Sequence, residues 1–189
     1  MPITVLASLV LGFSGPTPLY CPATLEKITG KPALVVEYGG ILFGTCCAGC
    51  GNPLLKDPAP LLANAIKEKK TVGTFEYDAV TGAKMDTTKA TIYSDYRSIR
   101  YFFNSDGEKK TFDKNPGSYV SDVKSAAYFC PVQKHETTYK DAGAFADYKG
   151  VRYFLCCGNC LKAFKANPDQ FIANAASAVK PLTAVALKD

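Results

Sequence analysis

The sequence predicts an α+β chain of three tandem small units, each a β-hairpin followed by a helix, packed into one body. Three observations predict it. All eight cysteines fall into two sets of one design. A shift of 110 positions lays the first set on the second, and a shift of 52 finds a third copy between them. Finally, 47% apolar residues in 189 are enough for a packed core.

The cysteine sets are nearly congruent. Between Cys21 and Cys46-Cys47-Ala48-Gly49-Cys50 lie 24 residues, and between Cys130 and Cys156-Cys157-Gly158-Asn159-Cys160 lie 25. The register holds on both sides: Glu37-Tyr38 falls on Asp147-Tyr148, Ile41 on Val151, Phe43 on Tyr153, Asp57-Pro58 on Asn167-Pro168, and Ala63-Asn64-Ala65 on Ala173-Asn174-Ala175. In the middle copy Asp95-Tyr96 matches Asp147-Tyr148, Ile99-Arg100-Tyr101-Phe102 matches Val151-Arg152-Tyr153-Phe154, and Asn115-Pro116 matches Asn167-Pro168. There the thiols Cys130, Cys156, Cys157 and Cys160 are replaced by Asp78, Asn104, Ser105 and Glu108. The units then occupy 19–72, 73–125 and 126–183, between a signal-like apolar segment 1–18 and a tail 184–189.

Each unit has the same expected elements. A Tyr or Phe before the first cysteine and Pro22 or Pro131 after it predict a short extended piece and a turn. Next, Ala33–Phe43, Thr91–Phe103 and Phe145–Leu155 carry strand-type residues around centres such as Tyr38-Gly39-Gly40 and Tyr148-Lys149-Gly150, which predict hairpins. Asn159 is the expected cap of a helix over Leu161, Phe164 and Lys165 that stops before Pro168. Pro168 then opens a last helix through Phe171, Ile172, Ala175 and Val179. The lobes join at Lys67–Lys70 and Asp122–Ser125, and the thiol-free middle one, rich in Tyr and Phe, must pack on its neighbours.

The charge of +5 is spread along the chain without a basic run, so no nucleic-acid partner is expected. No apolar run approaches the roughly 18 residues of a membrane span, so an integral membrane protein is not expected either. Ile3–Phe13 has the length of a signal-peptide core and is followed by Ser14-Gly15-Pro16. The expected location is therefore the periplasm or cell envelope. The cytoplasm is the alternative, because no Lys or Arg precedes the run and no A-x-A site follows it.

A unit of about 50 residues has a small core and is commonly braced by a metal or a disulfide. The spacing favours metal. Cys47 and Cys50, like Cys157 and Cys160, have the C-x2-C separation that presents two thiolates to one ion, and Cys21 or Cys130 closes the site from the hairpin side. Cys46 or Cys156 supplies the fourth thiolate where the chain turns sharply. Such a donor set selects Zn(II) or Cu(I), up to two ions per chain, over magnesium or calcium. Lys162 and Lys165 are the expected partners of the site's negative charge. His135, five residues after Cys130, is read as an exposed loop residue, since Glu26 stands at that offset from Cys21. Asp78, Asn104 and Glu108 are too few oxygen donors for a hard ion. Two alternatives stay open: zinc purely as a fold staple in a structural or interaction protein, and a thiol redox protein, with disulfides such as Cys21–Cys50 and Cys130–Cys160 available to an exported chain.

The order of first Cys, Tyr-x-Gly hairpin, Tyr-Phe before the cysteine cluster, and a helix with Phe164 and Asn167-Pro168 resembles the YHS and TRASH metal-binding domains, which are similar to treble-clef zinc fingers. The last copy resembles them most, through Cys130-Pro131-Val132, Tyr148-Lys149-Gly150 and Tyr153-Phe154. The resemblance covers the two thiol-bearing copies, and the middle one, which lacks the thiols of the pattern, joins them through the internal alignment; together they are expected to form three treble-clef-like repeats in a non-enzymatic protein. The resemblance implies heavy-metal binding in trafficking, sensing or resistance, beside a metal transporter or metallochaperone. It places the family's thiol triplet on Cys21, Cys46 and Cys50 and on Cys130, Cys156 and Cys160, with Cys47 and Cys157 as additions.

Overall fold

Gly39 and Gly40, at φ +60° and +88°, turn the chain between β1 (Leu34–Tyr38) and β2 (Ile41–Thr45) in the computed structural model, which describes residues 19–187. Two positive φ angles in succession give the turn whose twist suits a two-residue hairpin. Gly40 is needed twice over, because a Cβ there would stand 3.1 Å from the Phe75 ring. A 3-10 turn at Ala48–Cys50 leads into α1 (Gly51–Lys56), and α2 (Ala59–Lys67) follows Pro58.

The next stretch opens with β3 (Gly73–Phe75) and forms a second hairpin from β4 (Tyr93–Tyr96) and β5 (Ile99–Phe102). Its turn residues, Arg97 and Ser98, take the same left-handed geometry, at +48° and +67°. α3 (Asp106–Lys114) stops at Asn115, ahead of Pro116. Beyond it lie β6 (Ser125–Ala127) and the short ribbon of β7 (Phe129–Cys130) and β8 (His135–Glu136). A third hairpin joins β9 (Ala144–Tyr148) to β10 (Val151–Leu155) through Lys149 and Gly150 at +49° and +77°. The chain continues through α4 (Gly158–Ala166), α5 (Pro168–Ile172), a 3-10 stretch at Ala173–Ala178, β11 (Val179–Pro181) and β12 (Val185–Leu187).

These elements make a mixed α+β structure with a six-stranded sheet, β12-β1-β2-β3-β5-β4, and a four-stranded sheet, β11-β6-β10-β9. Two parallel pairings share one offset: Gly73 faces Ile99 where β3 meets β5, and Ser125 faces Val151 where β6 meets β10. A bidentate ion pair recurs with the same spacing. Arg100 grips Asp95 at 2.9 Å, and Arg152 grips Asp147 at 2.7–2.8 Å. Residues 185–187, expected in a tail, instead lie antiparallel on β1, with Leu187 opposite Val35.

Two helix boundaries differ from expectation. α4 starts at Gly158 behind Cys157, whose extended backbone (φ −160°) makes it the capping residue, so Asn159 sits inside the first turn. Pro168 does open a helix, but α5 ends at Ile172, tightens to 3-10 geometry, and gives way to β11 at Val179. The pairing of Val179 with Ala127 satisfies the backbone there in place of another helical turn.

The main core draws on every stretch. Val36, Phe43 and Leu54 meet Phe75, Tyr77, Tyr101, Phe103 and Phe112 of the middle stretch and Phe145 and Phe154 of the last. Phe145 stands edge-on to Phe75 at 5.0 Å and contacts Tyr77 at 5.4 Å, and Tyr128 stacks on Phe154 at 4.4 Å. Polar links cross the same region. The Arg152 Nη1 donates to the Gly39 carbonyl at 2.6 Å, and the Tyr128 hydroxyl donates to the buried Glu37 carboxylate at 2.9 Å. A second cluster around Tyr153, Leu155, Leu161 and Phe164 supports the last stretch.

Candidate metal centres

One turn, used three times, builds the base of each site. At the first, the Leu25 N–H donates to the Cys21 carbonyl at 2.8 Å, Leu25 takes φ +58°, and Tyr20 bridges to Lys27. At the last, the Lys134 N–H donates to the Cys130 carbonyl at 2.7 Å with Lys134 at +56°, and β7 pairs with β8. The middle stretch makes the same turn between Asp78 and Gly82, with Tyr77 bridging to Lys84. The residue that begins each turn is fully buried: Cys21, Asp78 and Cys130.

The hairpin and helix bring the other thiols over that base. In the first cluster the Sγ atoms of Cys21, Cys46 and Cys50 all lie within 4.8 Å of one another. Cys46 is 3.6 Å from Cys50, and Cys47, which caps the helical turn, is 3.1 Å from Cys50. In the second, Cys156 lies 3.6 Å from Cys130 and 3.5 Å from Cys160, and Cys157 lies 3.4 Å from Cys160. Gly143 passes directly over this cluster, where a Cβ would stand 2.8 Å from the Cys156 carbonyl. Both clusters are buried at the turn and the inner helix thiol and open at the top: Cys46 and Cys47 are exposed, Cys156 and Cys157 half-buried. No disulfide joins any of the eight.

The middle stretch assembles the same corner from oxygen and nitrogen. Asp78 Oδ1 accepts the N–H groups of Val80 and Thr81 at 2.8 and 3.1 Å, and the Asn104 amide donates to Asp78 Oδ2 at 3.3 Å. Ser105 caps α3 by accepting the Glu108 N–H at 3.2 Å. Glu108 Oε2 is buried without a hydrogen-bond partner among the described residues.

Lys165, expected as a partner of the second thiol cluster, is bonded to the middle stretch. Its Nζ donates to the Thr81 carbonyl at 2.9 Å, close enough for Asp78 to act on its charge, while burial lowers its pKa. Lys162 stays exposed. The carbonyl that receives Lys165 belongs to the middle turn, which the sequence spacing does not place near α4.

Electrostatics set the thiols against each other. Burial pushes the Cys21 thiol up, but the N–H groups of Cys46, Thr24 and Ala23 and the Thr24 hydroxyl outweigh it and bring it to about 7. In Cys130 burial is likewise overcome, by the N–H groups of Cys156, Gln133 and Val132. Cys47 is lowered by the thiol and N–H of Cys50, and Cys157 by the N–H and thiol of Cys160. Their neighbours move the other way. Cys50 is raised by the Cys47 thiol and then by burial, and Cys160 by burial and then by the thiols of Cys156 and Cys157. Each cluster thus favours some thiolates at the expense of others. A bound cation removes that conflict, because it favours all of them together.

The donors fit a soft ion. Sulfurs at about 2.3 Å from a tetrahedral zinc stand roughly 3.8 Å from one another, and five sulfur pairs here stand 3.1–3.6 Å apart, with the mutually close donors in groups of three. These cysteine-rich groups can therefore hold metal ions. One donor was not anticipated: a ring nitrogen of His135 lies within 4.8 Å of the Sγ atoms of Cys130 and Cys156, although the side chain is exposed. The strand pairing that carries it there has no signal in the sequence beyond its offset from Cys130.

Among the described residues no helix is long and apolar enough to cross a membrane. The apolar segment 1–18 lies outside the described residues. Comparison with known proteins finds no matching family model, no matching curated protein and no matching solved structure.

Proposed function

We propose that this protein binds soft transition-metal ions, Zn(II) or Cu(I), one at Cys21, Cys46, Cys47 and Cys50 and one around Cys130, Cys156, Cys157 and Cys160. It works without catalysis, in metal trafficking, sensing or resistance. The observation that carries this is the twofold convergence of one buried turn cysteine with thiols at a hairpin end and a helix start. Recurrence of turn, hairpin and helix supports reading the chain as three treble-clef-like repeats of the YHS and TRASH kind, the middle one without metal.

Exposure of Cys46 and Cys47 favours cargo over staple, because a partner's thiols can reach an ion there. The matching partner is a metal transporter or metallochaperone with its own soft donors. The signal-like composition of segment 1–18 supports the periplasm or cell envelope as the place of such traffic, with the cytoplasm as the alternative.

The test is metal analysis and a free-thiol count by mass spectrometry on protein purified under reducing conditions. About two ions per chain, with thiols that become reactive only after chelation, are expected. A metal-free chain with Cys47–Cys50 or Cys157–Cys160 oxidised would refute the proposal in favour of redox chemistry.

A further inference from the structure

The two clusters differ in one donor. His135 is the only histidine in the chain. It pairs directly with Cys130 across the β7–β8 ribbon, so the two side chains share a face. A ring nitrogen and the Sγ atoms of Cys130 and Cys156 all lie within 4.8 Å of one another. At the first cluster the corresponding residue is Glu26, and the group there consists of Cys21, Cys46 and Cys50 alone.

A second observation concerns the ring itself. His135 Nδ1 lies 2.8 Å from the Glu136 carbonyl oxygen. A carbonyl only accepts, so Nδ1 carries the proton and Nε2 keeps the free lone pair. Metal-binding histidines are oriented in this way, one nitrogen donating to a carbonyl or carboxylate and the other turned to the ion. The backbone here supplies that support before any ion arrives.

We propose that His135 is a ligand of the second centre, which is then a site of three sulfurs and one nitrogen beside an all-sulfur first centre. The inference rests on the metal-binding reading above. Cys130, His135 and Cys156 supply three donors, Cys160, 3.5 Å from Cys156, is the fourth, and Cys157 is left as a spare thiol. Replacing a thiolate by a neutral imidazole lowers the negative charge around a divalent ion by one and hardens the donor set. The second centre should therefore prefer Zn(II), while the first, with thiolates only, should take Cu(I) more readily. One chain would carry two ions of different kinds.

The lone histidine makes the test direct. The full chain, with isotope-labelled histidine, is titrated with Zn(II) and followed by nitrogen NMR of the imidazole. Binding is expected to shift Nε2 while Nδ1 stays protonated. A Cys157→Ser chain should show the same shift. With cadmium as the probe, two metal resonances are expected, one for four sulfurs and one for three sulfurs and a nitrogen. His135→Ala should move only the second. Two bound ions with an unmoved imidazole would overturn the role of His135 and leave the metal-binding reading standing. A chain that takes up no Zn(II) or cadmium would overturn both.

Discussion

Stripping the metal should leave the chain folded, and the aromatic joint explains why. Three ring pairs, Phe75–Phe145, Tyr77–Phe145 and Tyr77–Phe154, tie the middle stretch to the last. At about 0.5–1.5 kcal/mol each beyond simple burial, they supply roughly 1.5–4.5 kcal/mol. That is a sizeable share of the net stability of a small protein, about 5–15 kcal/mol. An ion held at a concentration a thousandfold above its dissociation constant adds about 4 kcal/mol per site. Chelation should therefore lower stability substantially without abolishing the cooperative transition. Phe145→Ala removes the ring that meets both Phe75 and Tyr77 and should cost about 3–5 kcal/mol. The variant should fold with zinc and fail to fold cooperatively in chelator. Guanidinium titrations followed by near- and far-UV circular dichroism, with zinc and with chelator, measure all four conditions. A wild-type chain that unfolds on chelation, or a variant that keeps its transition without metal, would refute the reasoning and return the ions to the role of staples.

The middle corner and the buried carboxylate offer two further tests. Replacing Asp78, Asn104 and Glu108 together by alanine should leave the number of bound ions unchanged, while loss of the Asp78 bonds to two part-buried N–H groups costs about 1–3 kcal/mol; a lower metal count by mass spectrometry would contradict this. Glu37 has its pKa raised by burial, against the opposing pull of the Gly40 N–H, the Tyr128 hydroxyl and Arg152. A raised folded value means that the folded state holds the proton more tightly, so this stability is present below the ordinary carboxylate range and is lost as pH rises through the folded value. Glu37→Gln keeps acceptors for Gly40 and Tyr128 and should be more stable than the parent at neutral pH, with the difference closing on acidification. Urea titrations of the metal-free proteins from pH 4 to 7 measure it, and a gap that widens in acid contradicts the assignment.

The hairpins were legible because each turn has a local cause: consecutive positive φ angles at Gly39-Gly40 and Lys149-Gly150 fall where the sequence marks them. The strands between hairpins were not. β3, β6, β11 and β12 are three residues long, too short for alternation, and each is defined by a distant partner. The end of α5 escaped for the same reason, since Val179 leaves the helix to meet Ala127. Repetition revealed the cysteines, and it also hid His135: a position that is Glu in one copy and His in the other looks dispensable until the strand pairing brings it to the sulfurs.

Asp78 shows what the two thiol clusters have in common. Its carboxylate accepts the N–H groups two and three residues further on, and burial of Cys21 and Cys130 is overcome first by the N–H groups of Cys46 and Cys156 and then with help from N–H groups at the same two offsets. The turn is thus a niche for a buried anion, whether oxygen or sulfur occupies it. In the middle stretch the surroundings are neutralised from within, by the Asn104 amide, the Ser105 cap and the charge of Lys165. In the outer clusters the charge acting on Cys50 is that of Cys21, and the charge acting on Cys160 is that of Cys130. Like charges cannot neutralise one another. A cation from outside can complete these two niches, whereas the thiol-free middle stretch has an internal one in Lys165.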